Sequence, residues 1–490
     1  MIFRILVSFS LTPFLLLHMG KETYGVWVLA LSFSLSGLFS LFSLGFQGAL
    51  IKYVAEYTAS AQHRELSEVV SATLFIYALM GAVASLFIFI FSSFFLQSFF
   101  TIPPELVSTT IILLLLFAVQ VLFELPGYTL DAIISGLQRF DIVATLEAGK
   151  TGLFALLVVI SLRLGYGVIG VGASMVVVTF VHVIAMAIYT RRLLPQLRLV
   201  RTFTRKVLLE MIDFTKDLFI LRVNGIIYNS MDKIIIGSLL SSTLVTDYDI
   251  ANRIHSMALM AAGLAPSVVI PAASAFNAVN EKERLKILLT KGTKYTLAMC
   301  LPVITALFVL AKPLISYWIS PLYAGTAIYA RLFLCYLFFW TAVQLGWNML
   351  VGVKEVKPIV RIQIFSVALN LAFTYLLVKK VGVAGAMLGT IIGNAVAFFP
   401  YLKLMLRRFD VSAGSFFKTV ILSVYPQVVA SGGALFLMTL LRYPKSLLEV
   451  GAYAFASLIV FYVLFYFTGV DSDDKQRFSL LVKGWRQKTV

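Results

Sequence analysis

Apolar stretches the length of a membrane-crossing helix recur from one end of the chain to the other, and this recurrence limits what it can fold into. Counting roughly 17 to 25 apolar residues as one crossing, candidate spans lie near 2–19, 25–50, 69–96, 106–135, 142–162, 166–190, 214–239, 246–276, 293–317, 325–350, 358–378, 382–404, 417–440 and 449–468. They are too long for strands and do not alternate apolar with polar residues as membrane-barrel strands must. Hydrophobic residues make up 60% of the 490 and charged ones 13%, with a mean hydropathy of +0.94, so the solvent for most of the chain is lipid. Pro266, Pro271 and Pro302 fall inside or beside these spans and are the expected kinks.

The spans are not independent of one another. Gly165-Tyr-Gly167-Val-Ile-Gly170 is echoed about 215 residues later by Val381-Gly382-Val-Ala-Gly385, at the same point between two long apolar runs. Just upstream, Ser135-Gly136-Leu-Gln138-Arg139 and Val351-Gly352-Val-Lys354-Glu355 repeat at nearly the same offset. Two echoes in register predict related halves, residues 1 to about 205 and 206 to about 410. Many transporters are built from such repeats and hold the substrate between them. The expected fold class is an all-α polytopic membrane protein of about 14 transmembrane helices, in two pseudo-symmetric bundles plus a C-terminal helix pair. The domain plan is a six-helix bundle over 1–190, an amphipathic cytoplasmic linker over 191–213, a second six-helix bundle over 214–410, a helix pair over 411–470 and a basic tail over 471–490.

Charge sets the orientation. Alternate loops carry Arg64; Arg139; Arg191, Arg192, Arg198, Arg201, Arg205 and Lys206; Lys282, Arg284, Lys286 and Lys291; Lys354 and Lys357; Arg407 and Arg408; and, in the tail, Lys475, Arg477, Lys483, Arg486 and Lys488. The opposite loops hold little beyond Lys21, Arg163, Lys379, Lys380, Arg442 and Lys445. The positive-inside rule puts the basic set, and with it both termini, in the cytoplasm of a multi-pass protein of the cytoplasmic (inner) membrane. The net charge of +17 is then largely a matter of topology, and no nucleic-acid partner is expected. Basic residues alternate with Leu194, Leu197, Leu199, Val200 and Phe203 across the linker, the pattern of an interfacial helix lying on anionic lipid. No cleavable signal peptide is expected, because the first apolar run lacks a small-residue cleavage site.

Signs of catalysis are weak. Ala148-Gly149-Lys150-Thr151 resembles the end of a phosphate-binding loop, but Ala144 stands where the first glycine of that motif belongs. His18, His63, His182 and His255 show no metal-ligand spacing, and Cys300 and Cys335 both lie inside spans. The expectation is a protein that is not an enzyme and needs no cofactor or metal.

Polarity inside the spans is more informative, since a charge at mid-bilayer costs at least about 2.5 kcal/mol and usually faces a partner or a wet cavity. Span 7 carries Lys216, Asp217, Arg222, Asn224, Asn229, Asp232 and Lys233, and span 8 adds Arg253 and His255. Glu124, Asp131, Glu147 and Lys150 lie in spans 4 and 5. Asp232 and Lys233 are expected near the outer interface. Arg222 lies midway along its span and has a rigid, permanently charged fork suited to phosphate. Arg4 precedes Gly20 by about the distance that Arg222 precedes Gly237, hinting at a pair of cations from the two halves. The candidate cavity residues are thus Arg222, Arg253, Lys233, Arg4, Lys150, Asn224 and Asn229.

Two segments carry a family resemblance. Leu11-Thr-Pro-Phe-Leu-Leu-Leu-His-Met-Gly20-Lys-Glu-Thr-Tyr24-Gly25-Val-Trp27 and Ser43-Leu-Gly45 through Lys52 to Glu56 resemble the opening of polysaccharide-biosynthesis membrane proteins. Ser230-Met-Asp232-Lys233-Ile-Ile-Ile-Gly237, followed by Tyr248-Asp-Ile-Ala-Asn-Arg253, is similar to that family's motif in spans 7 and 8. These are the Wzx-type O-antigen and oligosaccharide flippases of the multidrug/oligosaccharidyl-lipid/polysaccharide (MOP) superfamily. At Ser43 the chain departs from the family's usual Asp. The resemblance implies alternating access through a cation-lined central cavity, by which a polyprenyl-diphosphate-linked oligosaccharide crosses from the cytoplasmic to the outer leaflet. A diphosphate cannot cross hydrocarbon bare, and fixed cations would replace its hydration. It also implies ion coupling, with proton or sodium as candidate ions and Asp131, Glu147 and Glu124 as candidate carriers. The competing reading of Glu147 is a salt bridge to Lys150, one helical turn away. Expected partners are the lipid-linked glycan, membrane lipid, and a glycan polymerase or glycosyltransferases. The alternatives are an ion-coupled multidrug or metabolite antiporter of the same superfamily, or a membrane scaffold for glycan assembly.

Loop charge generates the first prediction: reporter fusions placed after Val490 and within 191–205 signal from the cytoplasm, and an outside signal from either reverses the orientation.

Overall fold

The computed structural model describes residues 2–35, 37–43, 45–200, 219, 223–228, 230–262 and 266–476, and the regular elements among them are helical. Eleven stretches among the described residues are long and apolar enough to cross a membrane, at 38–59, 63–99, 104–136, 140–163, 167–193, 282–318, 321–352, 356–381, 384–408, 413–441 and 447–468. The first expected span and the described residues of the seventh and eighth fall on further helices. This is a multi-pass, all-helical membrane protein. The chain divides into two compact units, one formed by Met1–Asp249 with Thr374–Ala386 and the other by Ile250–Phe373 with Met387–Val490.

The first unit contains α1 (Ile2–Leu31), α2 (Phe46–Ala59), α3 (His63–Ile90), α4 (Val107–Gly136), α5 (Phe140–Arg163), α6 (Gly167–Leu193), α7 (230–239) and the first turns of α8 (Ser242–Ala262). In lipid no hydrophobic force drives helices together, so close packing through small residues must do so. Accordingly α4 lies against both α3 and α6. Gly81 faces the backbone of Leu122, Gly127 faces Val183, and Gly172 faces Leu113 and Leu116.

The polar stretch Gly20-Lys21-Glu22-Thr23 looks like a loop; Gly20 alone leaves the helical conformation there, and helix runs on to Leu31. Gly20 breaks the helix with φ 73° and ψ 171°, a conformation open to glycine at little cost, and the helix resumes beyond it. Between Leu194 and Val200 the linker is not helical. Helix α6 ends at Leu193 and residues 194–200 are turn and irregular chain, with the amides of Arg198 and Val200 donating to the Ser67 and Ser71 hydroxyls. Pro195 disfavours helix at the residue before it, which accounts for the stop. Residues 201–213 lie outside the described part.

The second unit holds the remainder of α8, then α9 (Pro266–Ala278), α10 (Lys282–Trp318), α11 (Ala327–Cys335), α12 (Leu337–Gly352), most of α13 (Val356–Val381) and α14 (Ala384–Arg408), α15 (Tyr425–Leu441) and α16 (Leu447–Thr468). Of the prolines expected to kink helices, Pro266 opens α9, Pro271 lies within it, and Pro302 lies within α10 together with Pro313. Pro313 has no N–H to give the carbonyl four residues back. The Arg331 guanidinium supplies donors there, to Phe308 O at 3.1 Å and to Val309 O at 3.4 Å. This cation therefore repairs a backbone.

The echoed sequences recur as echoed turns. Gln138 and Lys354, each two residues beyond an echoed glycine, adopt φ of 60° and 64°. Ala61 and Asn280, closing α2 and α9, do the same at 56° and 55°. The amides that follow reproduce one another: Gln62 N–H to Tyr57 O matches Glu281 N–H to Phe276 O, and Arg139 N–H to Ile134 O matches Glu355 N–H to Leu350 O. A Cβ on Gly136 would stand 2.9 Å from Ile51 O, and one on Gly352 would stand 2.7 Å from Ile270 O. Helix α4 thus meets α2 as α12 meets α9. Gly167 and Gly382, in the second pair of echoes, both have positive φ.

Beyond α16, two carboxylates tie the chain back to α10. Lys291 Nζ lies 2.6 Å from Asp474, Tyr295 Oη donates to Asp474 at 2.5 Å, and Lys294, itself 2% exposed, lies 3.1 Å from Asp471. Burial opposes a charge on Asp474, but the hydrogen bonds from Lys291 and Tyr295 and the charges of Lys291 and Lys294 outweigh it and hold the carboxyl below the usual range. Because the folded form ionises at lower pH than the unfolded one, the clasp stabilises fully above about pH 4 and is lost as pH falls through the lower folded value. Asp474→Asn is expected to cost about 1–3 kcal/mol at neutral pH. In thermal melts of detergent-purified protein, the gap to wild type should close below about pH 4. A gap that is constant with pH removes the charge from the explanation.

Candidate functional site

Helix α1 resumes after Gly20 with Lys21 and Tyr24, three residues apart and therefore on one side of the helix. Gly25 sits so close to the start of α8 that a Cβ there would lie 2.1 Å from Ser242 O. Only at that spacing do the α1 side chains reach the acidic turns of α8. Lys21 Nζ stands 2.9 Å from Asp247 Oδ2, and the fully buried Tyr24 donates to Asp249 Oδ2 at 2.9 Å. The Thr246 hydroxyl donates to Lys21 O at 2.7 Å. Lys233, from α7, takes the other oxygen of Asp249 at 3.0 Å. Its neighbour Asp232 accepts from Tyr248 Oη at 3.0 Å and from the Thr374 hydroxyl at 3.4 Å. Asp232 and Asp249 are 2% and 5% exposed, so these are charges held in the protein interior.

The expected cavity and coupling residues separate into groups. Lys233 belongs to this network. Asn224 is buried, with its Nδ2 unpartnered, and Arg253 is half-buried on α8. Arg222 and Asn229 lie outside the described residues, as does the side chain of Arg4. Lys150, Glu124, Asp131 and Glu147 form a second polar group among α4, α5 and α6. Lys150 Nζ lies 2.8 Å from Glu124, whose other oxygen accepts from Gln120 at 2.8 Å. Gln47 donates to Asp131 at 2.6 Å, and Glu147 stands 3.5 Å from His182 Nε2. Lys150 and Glu147 thus each meet a partner on another helix. Among the described residues, no three His, Cys, Asp or Glu side chains converge so as to hold a metal ion.

Sequence reasoning passed over Lys21, Tyr24, Asp247, Asp249, His182, Gln47 and Gln120. Lys21 stands in a polar run that reads as a loop, and the glutamines carry no charge to mark them. The Lys21/Tyr24 spacing was the available signal, and it becomes visible once Gly20 is recognised as a kink.

Residues 18–328 match the family described as Polysaccharide biosynthesis protein. The chain belongs to that family. The match takes in α1 from just before its kink, the Asp232/Lys233 pair and the whole of α8. Among solved structures, the fold is shared with the lipid II flippase MurJ in an inward closed conformation, at TM-score 0.74 and 14% identity over 94% of this chain and 96% of that one. An inward-facing multidrug resistance MATE family transporter of the MOP superfamily aligns at TM-score 0.64 and 17% identity, covering 83% and 93%. A MATE transporter of Vibrio cholerae aligns at 0.58 and 12%, covering 85% and 95%. No curated protein matches the chain. The family member described here thus has the all-helical fold of MOP-type flippases and transporters.

Breaking a buried ion pair from one side leaves a bare charge, whereas replacing both partners does not. Asp249→Ala is accordingly expected to destabilise the purified protein by about 3–5 kcal/mol, and the double replacement Lys233→Met with Asp249→Leu to recover most of that. If the double variant melts no higher than the single one, the pair is not what holds α7 to α8.

Proposed function

We propose that the chain is a flippase that moves a polyprenyl-diphosphate-linked oligosaccharide from the cytoplasmic to the outer leaflet of the cytoplasmic membrane, by alternating access through a central cavity lined with cations. Both termini would lie in the cytoplasm. The observation that carries this reading is membership of the polysaccharide biosynthesis family over residues 18–328. Two lysines supply the chemistry. Lys21 and Lys233 each face an aspartate carboxylate, at 2.9 Å and 3.0 Å. A diphosphate arriving beside them would compete with those carboxylates for the ammonium groups, which bind phosphate as point charges. Arg222, Arg253, Arg4 and Lys150, with Asn224 and Asn229, are proposed to extend this surface, and Asp131, Glu147 and Glu124 to couple it to a proton or sodium gradient.

The test is flipping of a fluorescent polyprenyl-diphosphate oligosaccharide in proteoliposomes, read by loss of accessibility to a membrane-impermeant quencher. Wild type should flip the lipid and Arg222→Ala should abolish flipping while remaining in the membrane. Arg222→Lys should restore part of it, because a point charge replaces a fork. Efflux of cationic dyes without lipid flipping would point to a multidrug antiporter, and neither activity to a scaffold. Wild-type flipping by Arg222→Ala removes that residue from the site.

A further inference from the structure

Within the second unit, α12 has one side that the protein leaves partly uncovered. From Trp340 to Leu350 the half-exposed residues are Trp340, Gln344, Trp347 and Asn348, at the i, i+4, i+7 and i+8 spacing of a single stripe, and the residues between them are buried. A stripe that looked onto lipid would be aliphatic, because an amide set against hydrocarbon loses its hydrogen bonds to water. An aromatic belt at the membrane surface does not account for it either. Trp340 lies about 18 Å along the axis from the turn at Gly352, hence near mid-bilayer, with both amides between it and the turn. The rings are held from α14 by Tyr401, which is 3% exposed. Trp340 meets its ring edge-on at 5.7 Å, the Trp347 indole hydrogen-bonds its hydroxyl, and that hydroxyl donates to Ile359 O of α13 at 3.2 Å. Gln363 follows one turn beyond Ile359 on the same side of α13. The Oε1 atoms of Gln344 and Gln363 are both buried with no hydrogen-bond partner. Orphaned acceptors of this kind call for a donor. A cation is a poor candidate, since α12, α13 and α14 contain no Asp or Glu to pair with it.

The repeat sharpens the point. Gly136 and Gln138 correspond to Gly352 and Lys354, both 216 positions on. At that offset Trp340, Trp347 and Gln363 stand where the first half has Glu124, Asp131 and Glu147. Positions that carry charge in one half carry neutral rings and an amide in the other, so the scaffold itself requires neither set.

We infer that Trp340, Trp347, Gln344 and Gln363 form a binding site for neutral sugar rings and take the glycan part of the transported lipid. A sugar presents C–H groups on its ring faces and hydroxyls around its edge. An indole face packs against the first, and an amide both accepts from and donates to the second. The two indoles are seven residues apart, about 10 Å along α12, which is the span of two linked sugar rings. The last torsion of a glutamine is soft, so each orphaned Oε1 can turn to a hydroxyl without moving its helix. This deepens the function proposed above by assigning residues to the glycan, and it rests on that reading.

Trp27 and Trp318 are 3% and 6% exposed, so with Trp485→Phe in place, quenchers reach chiefly Trp340 and Trp347. In nanodiscs, acrylamide in the water should quench this fluorescence and brominated phospholipid should not; the opposite pattern overturns the inference. Unlabelled polyprenyl-diphosphate oligosaccharide should protect the indoles from acrylamide, and polyprenyl diphosphate without sugar should not. Trp347→Ala and Gln344→Ala should each weaken binding of the glycan lipid roughly tenfold while the sugar-free lipid binds as before. Trp347→Tyr, which keeps a ring face, should retain most of the affinity. Equal weakening toward both lipids, or glycan binding unchanged in Trp347→Ala and Gln344→Ala, overturns the inference. If wild type binds neither lipid, the flippase reading fails and free di- and trisaccharides of hexose and N-acetylhexosamine decide the site. Protection of the indoles by them sustains it, and no protection overturns it.

Discussion

A charge inside a lipid-facing helix can be stabilised by little except another side chain, and much of this structure follows from that restriction. Lys21 and Lys233 are each answered by an aspartate, and Lys150 by a glutamate. Arg331 is answered by two carbonyls, one of which, Val309 O, a proline has left short of a donor. Backbone groups obey the same rule, which is why the regular elements among the described residues are helices. In water such pairs would contribute little; here the alternative is an uncompensated charge.

The same restriction explains what could be read from the sequence. Apolar runs have one stable outcome in a bilayer, so the helical class was legible from hydropathy. The echoed glycines were legible because turns demand particular residues, and the left-handed backbones at Gln138 and Lys354 show the demand being met twice. The pairing of charges was not legible. Sequence spacing reveals neighbours on one helix, which favoured a Glu147–Lys150 bridge, but says nothing about which helix lies opposite. Lys150 reaches Glu124, 26 residues away, and Glu147 approaches His182 on α6. Lys21 was hidden for a related reason: a polar run looks like a loop until partners 226 residues distant are known to neutralise it.

Polar groups and repeat together separate two kinds of requirement. What both halves retain is geometry: a close approach at Gly136 and Gly352, and matching hydrogen bonds beyond α2 and α9. What they do not share is charge, since Glu124, Asp131 and Lys150 have tryptophan, tryptophan and serine as counterparts.

The four repeated turns have a practical side. Ala61, Gln138, Asn280 and Lys354 each carry a Cβ in the left-handed region, where a side chain other than glycine costs roughly 1 kcal/mol or more per residue. Asparagine tolerates that region better than the other three. None of the four lies in either polar network. Glycine at Ala61, Gln138 or Lys354 would relax the native backbone, partly offset by a more flexible unfolded chain. These positions offer a route to a sturdier protein for purification that leaves every buried charge where it is.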